Sequence, residues 1–381
     1  MEHAQIIEAT GLAIVPGLID LHVHFGALLR PDKSWVPRWL WHQALQNWLA
    51  PQLLRQRLAG YLAEGDTTVR SLGDVIDAPG DIVLLREQIA AGRLKGPRLL
   101  TVGPVFTAPG GHPVGTMARG NTQLQEKAAR QVTDPEAARA EVRRLIERGI
   151  DGIKVIYDGS GGHLPRLALP VMTAIIQEAH QRGVWVAAHT GSAQEVHDVV
   201  QAGVDTVEHG ARDGSRLAPE TLEMMRLQHV TFVPTLVAYE LLTRLRGIKF
   251  RPPIFSREVW RRMRWLIDSL TPEVMRTIQE NVQAAHAAGV PIGAGTDVGQ
   301  PMLHRELKLL VQAGLPPTVA LLAATRTAAQ ALRMDDMLGS IVPGKQADLV
   351  LLAGDPWENI AAIDAIRYVI QAGRIVVKKG R

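Results

Sequence analysis

The 381-residue sequence predicts an α/β protein whose strands close into one parallel barrel. Three observations carry this. Short β-branched or apolar runs alternate with helical stretches through most of the chain. The runs number eight, at 13–25, 67–71, 98–106, 152–157, 184–189, 205–208, 230–235 and 290–296. The helical stretches, such as 134–148, 170–182 and 272–288, close on glycine just before the next strand, at Gly149, Gly183 and Gly289, and Gly203 closes another. A glycine there ends a helix and turns the chain back into a sheet. Eight such repeats favour a closed barrel over an open sheet.

Composition removes several classes of function. The apolar fraction of 46% with 21% charged residues is that of an ordinary globular protein. Net charge is +4 and no basic run is interleaved with aromatics, so nucleic acid is not an expected partner. The basic clusters at 261–264 and 378–381 read as solvated faces and a chain end. The absence of cysteine excludes disulfides, thiolate metal sites and cysteine nucleophiles. Any metal must be held by histidine, carboxylate or a modified lysine. No uninterrupted apolar run approaches about 18 residues, so no membrane helix is expected. The stretch MEHAQIIEATG lacks the regions of a signal peptide, which leaves the cytoplasm as the expected location.

The strand ends, taken in order, carry the chemistry. In such barrels functional side chains sit at the C-terminal ends of strands. The first run ends LHVHFG, where His22 and His24 are two apart, share a face and aim both imidazoles at one point. The fourth ends in IK at Lys154, the fifth in AAH at His189, the sixth in VEH at His209 and the eighth in GTD at Asp297. Each has an ordinary reading alone: Lys154 a snorkelling lysine, His189 a core histidine, Asp297 a helix N-cap. Six such residues at the same end of their strands point instead to a metal centre. Histidine and carboxylate donors suit zinc or a similar divalent ion.

The motifs PGLIDLHVH, GDTTVRSLGD, DGIKVIYDG, VAAHTG, VEHG, GAGTD and LGSIVPGKQADLVLLAGDP resemble the amidohydrolase superfamily. The chain is most similar to the branch containing imidazolonepropionase and the prolidase-like amidohydrolases, from about residue 11 to the end. The resemblance implies a distorted (β/α)8 TIM barrel, here 16–339, with a small β-sandwich built from the termini, 1–15 and 340–381. The N-terminal contribution is shorter than in the relatives. The sandwich is therefore expected to be abbreviated, or the recorded start to be internal to a longer gene product.

The resemblance also implies two divalent ions, zinc foremost. His22, His24 and Asp297 would hold the more buried ion and His189 and His209 the more exposed one. Lys154 would carry a CO2-derived carbamate bridging both. A bridging water loses its proton near neutral pH and attacks a carbonyl or phosphoryl centre, with Asp297 as general base. Deaminase-like members use one metal and do without the lysine; the in-phase Lys154 favours two.

For the substrate, Gly110-Gly111-His112 resembles a segment that faces it in the prolidase-like members. Tyr239 in PTLVAYE matches a position that reaches its carbonyl or carboxylate. Together Tyr239 and His112, the latter positively charged when protonated, are expected to hold a substrate carboxylate. His163, after Gly161-Gly162, and His304, after Asp297, are further candidates, against the ordinary readings of a loop histidine and a structural one. Trp35, Trp39 and Trp41, in 30–48, and the insertion 241–270 either border the mouth of the site or pack as ordinary helices. The expected activity is cleavage of an amide or peptide bond, with Xaa-Pro dipeptides or N-acyl amino acids as the specific expectation. Ring-opening of a cyclic amide or lactone, phosphotriester hydrolysis and mononuclear deamination are the alternatives. The intact ligand set opposes a non-catalytic scaffold. The expected partner is a small-molecule substrate, and homo-oligomerisation is left open.

Overall fold

The apolar runs become strands buried on both faces, as a sheet covered by helices requires. The computed structural model describes residues 6–25, 43–74, 82–116, 122–247 and 257–380. In chain order the strands are β1 (Ala13–Pro16), β2 (Leu18–Val23), β3 (Asp66–Ser71), β4 (Arg98–Thr101), β5 (Val105–Thr107), β6 (Ala129–Gln131), β7 (Gly152–Ile156), β8 (Trp185–His189), β9 (Thr206–Glu208), β10 (Thr231–Val233), β11 (Leu349–Leu352), β12 (Ile366–Gln371) and β13 (Arg374–Lys378).

Strands β2, β3 and β4 form one parallel set, and β10, β9, β8, β7, β5 and β6 another in that spatial order. Segment 290–298 closes the ring by backbone bonds to both. Phe232 N donates to Pro291 O at 2.8 Å on one side, and Leu21 N donates to Ala294 O at 2.9 Å on the other. Two predicted runs each prove to be two strands. Gly103, at φ 63°, and Pro104, which lacks an N–H, break the 98–106 run. As a result β4 stays with β3 while β5 pairs with β7, and this seam is the barrel's distortion. The 13–25 run divides at Gly17.

Before Gly17, β1 leaves the barrel and joins β11, β12 and β13 in an antiparallel sheet, so both ends of the chain share one sheet. Gly17 N donates to Asp348 O at 2.7 Å. A side chain at Gly17 would collide with Thr67. Helices cover the barrel and start where the sequence provides caps. Asp134, Ser192 and Thr271 each accept an N–H from the first turn of Pro135–Glu147, Ala193–Gln201 and Pro272–Ala287. Such a cap contributes about 1 kcal/mol. Ala138, Val142 and Leu145, spaced to share one face, sit in the same core as Ile153 and Val155 of β7 and Val186 and Ala188 of β8. No described helix is long and apolar enough to cross a membrane. Trp35, Trp39, Trp41 and residues 248–256 of the insertion lie outside the described residues.

Candidate metal centre

Strand β2 delivers His22 and His24 on one face, and both rings are held from behind. His24 Nδ1 lies 2.7 Å from the carbonyl oxygen of Gly73. A carbonyl only accepts, so Nδ1 carries the proton there. His22 Nδ1 lies 2.8 Å from Glu208 Oε2. Burial opposes the charge on Glu208, but Arg70, Lys154 and His22 outweigh it and hold the carboxyl at about 2. His22 therefore donates from Nδ1 as well, and both Nε2 atoms face Asp297. Its Oδ1 is 2.9 Å from His24 Nε2 and 3.3 Å from His22 Nε2. Asp297 is ionised too: burial works against its charge, yet His22, His24 and His209 hold it well below the usual carboxylate range. Nitrogen lone pairs meeting a carboxylate need a cation between them. Burial lowers His24, but Asp297 outweighs burial and raises it above its ordinary value, which favours a second proton on the ring.

Asp297 and His209 reach this point by leaving strand geometry, at φ 55° and 69°. Such left-handed backbone costs on the order of 1–3 kcal/mol and recurs at functional sites. His209 Nδ1 is 2.8 Å from Thr235 Oγ1. The ligand atoms of His22, His209 and Asp297 all lie within 4.8 Å of one another. His189 ends β8 with its ring 4.3 Å from that of His209. Its Nε2 is 3.0 Å from Asp158 Oδ2, which Arg212 Nη2 also holds. Lys154 of β7 is 2% exposed, and its Nζ has no hydrogen-bond partner among the described residues. Burial lowers its amine to about 8, with Arg70 acting in the same direction and Glu208 and Asp297 against. This donor set of imidazoles, a carboxylate and an unpartnered amine fits divalent metal.

The substrate candidates divide. His112 stacks on His189, ring centres 5.3 Å apart and planes 28° apart. Its Nδ1 is 2.7 Å from Thr116 Oγ1, which itself donates to Pro113 O at 3.2 Å. Thr116 therefore accepts from Nδ1, leaving His112 Nε2 an acceptor. Burial, and after it His189, lower His112 to about 3. Protonation, and the positive charge it would bring, is therefore disfavoured in this loop. Tyr239 is buried 6.5 Å from the His209 ring, and its hydroxyl has no partner among the described residues. Burial raises the phenol, so the hydroxyl remains a donor. His163 stands apart, exposed, 5.0 Å from the Trp265 ring, on the rim of a cavity of about 480 Å³ shared with Gly110, Gln125, Gln131 and Pro165. His304 is not brought to the centre. Its Nε2 is 2.7 Å from Glu64 O and its Nδ1 3.1 Å from Asp364, so both nitrogens tie its helix to other parts of the fold.

Four neighbours of the centre escaped the strand-end reading: Arg70, Glu208, Asp158 and Arg212. Glu208 adjoins His209, and a period of two places such neighbours on opposite faces. The left-handed backbone of His209 brings both inward. Arg70 carried a signal, a charge inside the fully buried run DTTVRS. Asp158 and Arg212 lie beyond strand ends, where spacing carries no information.

The amidohydrolase family profile matches residues 13–376. The chain belongs to the amidohydrolase family. An uncharacterized protein of Mycobacterium tuberculosis is 28% identical over 255 residues, which are 64% of this chain. The match spans 63% of that relative's length, less than two thirds. Enamidase from Eubacterium barkeri is 25% identical over 396 residues, covering 99% of this chain and 84% of its own. A solved structure of a Xaa-Pro dipeptidase with methionine bound in the active site shares 30% identity at a TM-score of 0.78, covering 97% of this chain and 87% of that one. The prolidase-like amidohydrolase fold expected from the motifs is thus borne out, with its parallel barrel and terminal antiparallel sheet.

Proposed function

We propose that this amidohydrolase is a two-metal hydrolase of amide bonds, with Xaa-Pro dipeptides or N-acyl amino acids as substrates. The observation that carries the reading is Lys154, a buried amine with no partner among the described residues, lowered to about 8, in the electrostatic field of Asp297, His189 and His209. A neutral amine adds to CO2, forming an N–C bond and releasing one proton. The resulting carbamate would supply the anionic oxygens that divalent ions need. His22, His24 and Asp297 would hold one ion and His189 and His209 the other, zinc being suited to both sets. When bound, the ions supply Lewis acidity toward the substrate carbonyl and acidify water.

The chain's own residues do the remainder. Ionised Asp297 takes the proton of the attacking water and passes it to the leaving nitrogen, a transfer typically contributing about two to four orders of magnitude in rate. Tyr239 donates its free hydroxyl to the substrate carbonyl or carboxylate. His112 presents an acceptor, which suits a substrate N–H. The names of the Xaa-Pro dipeptidase and the enamidase support amide cleavage. Ring-opening of a cyclic amide is the second reading, because the same attack on a carbonyl would perform it. The test is a hydrolysis screen of zinc-loaded protein on Xaa-Pro dipeptides, N-acyl amino acids, cyclic amides, lactones and phosphotriesters. Turnover of lactones or phosphotriesters with none of the amides would overturn the reading.

A further inference from the structure

Two of the four histidines of the centre are backed by ion pairs and two by neutral groups. His22 Nδ1 meets Glu208, whose other oxygen takes 2.7 Å and 2.6 Å bonds from Arg70 and Thr206. His189 Nε2 meets Asp158, which Arg212 holds. His24 leans on the Gly73 carbonyl and His209 on the Thr235 hydroxyl. The two ion pairs share no residue, and they differ in access. Arg70 and Glu208 are both 0% exposed, whereas Asp158 is 2% and Arg212 11% exposed.

We propose that Asp158 and Arg212 are positioning residues for the His189 half of the metal centre, acting independently of the Arg70–Glu208 pair that positions His22. The proposal rests on the two-metal reading above. Asp158 takes the Nε2–H of His189 and thereby selects Nδ1 as the bare nitrogen. His22 is fixed in the opposite sense, donating from Nδ1 and presenting Nε2. The backing carboxylate thus decides which atom each ring offers.

Asp158 is held on several sides. Burial opposes its charge, but His189 and Arg212 hold its carboxyl far below the usual range. Its Oδ1 accepts from Ser160 N at 2.5 Å. Arg212 Nη2 reaches both Asp158 and Ser160 Oγ, the latter at 3.0 Å. Arg212 thereby fastens the carboxylate behind His189 to the loop that carries His163 to the cavity rim. Gly191, two residues after His189, makes room for the pair: a Cβ there would stand 2.7 Å from Asp158 Oδ1 and 3.2 Å from Arg212 Nε.

The test is a zinc titration against a chelating dye, on the full chain, with thermal unfolding of the metal-free protein measured beside it. The wild type is expected to bind two ions. Asp158→Asn and Arg212→Met should each weaken one ion about 10- to 100-fold and leave the other within about threefold. Their combination should be no worse than the worse single, because both act through one carboxylate. Asp158→Asn with Glu208→Gln should weaken both ions. Arg212→Lys should recover part of the loss. Gly191→Ala, which crowds the pair without removing a charge, should weaken the same ion as Asp158→Asn. Equal weakening of both ions by Asp158→Asn would overturn the proposal. So would unchanged zinc affinity in Arg212→Met; if that came with a raised KM for carboxylate substrates, Arg212 would be a substrate contact instead. A wild type that binds a single ion overturns the two-metal reading itself, and does so before any variant is compared.

Discussion

His24 Nε2 and Asp297 Oδ1 lie 2.9 Å apart, a contact that favours a second proton on the ring. The Asp297 partnership raises His24 above its ordinary value, which favours the second proton. Zinc binding at neutral pH should release this proton. Calorimetric titration in buffers of different ionisation enthalpy measures the release, and Asp297→Asn should diminish it. Proton-neutral binding in the wild type would contradict the arrangement.

Zinc content should approach two ions per chain in bicarbonate buffer and fall to one in Lys154→Met. The substitution removes a buried amine that has no partner among the described residues, so metal-free stability should hold or rise. Elemental analysis and a thermal melt decide both halves. A wild type that never exceeds one ion restores the deaminase-like reading.

Asp297→Asn should lose turnover by about a hundredfold or more while retaining metal, because the amide keeps an oxygen but cannot accept a proton. Parent-rate turnover with both ions bound would remove Asp297 as the base.

Tyr239→Phe should separate stability from activity. Its hydroxyl is buried without a partner among the described residues, so the loss should cost no stability and add up to about 1 kcal/mol. A bond from that hydroxyl to a substrate carboxylate is worth about 1.5–3 kcal/mol, so kcat/KM on dipeptides should fall roughly ten- to a hundredfold. Lactones and phosphotriesters should be little affected. Equal losses on both types would place the hydroxyl at the reacting centre.

Asp66 should make the metal-free fold weaken as pH rises. Both its oxygens are buried without partners among the described residues. Burial, then Asp20 and Glu64, push its carboxyl well above the usual range. The folded chain keeps the proton that the unfolded chain gives up above about pH 3.9. Stability should therefore be greatest below that pH and decline above it, by up to about 1.4 kcal/mol per unit, until the folded carboxyl ionises. Urea midpoints at pH 5, 6 and 7 should show a slope that Asp66→Asn flattens. An unchanged slope would assign it to other groups.

Much of this was legible in the residues. Regular spacing announces the helices and their closing glycines, and Gly149, Gly183, Gly203 and Gly289 all take the positive φ expected of them, between 74° and 91°. The histidine pair on β2 needs only the period of two. What spacing could not reveal depends on breaks in regularity. The bend at Gly103-Pro104 turned one run into two strands. The left-handed turn at His209 put Glu208 behind His22. The burial of His112 beside His189 is a property of the folded loop, invisible in Gly-Gly-His. His304 follows Asp297 closely in sequence, but its helix carries it to Glu64 and Asp364.

The single residue Gly17 separates a strand that pairs with 349–352 from the strand that bears His22 and His24. The early half of the histidine set is therefore braced by the chain's late residues, on one side through β1 and on the other through segment 290–298. During synthesis, the first ligands to leave the ribosome are among the last to be seated. Until residues beyond 349 have emerged, the strand that precedes His22 and His24 lacks the partner that β1 pairs with in the finished fold.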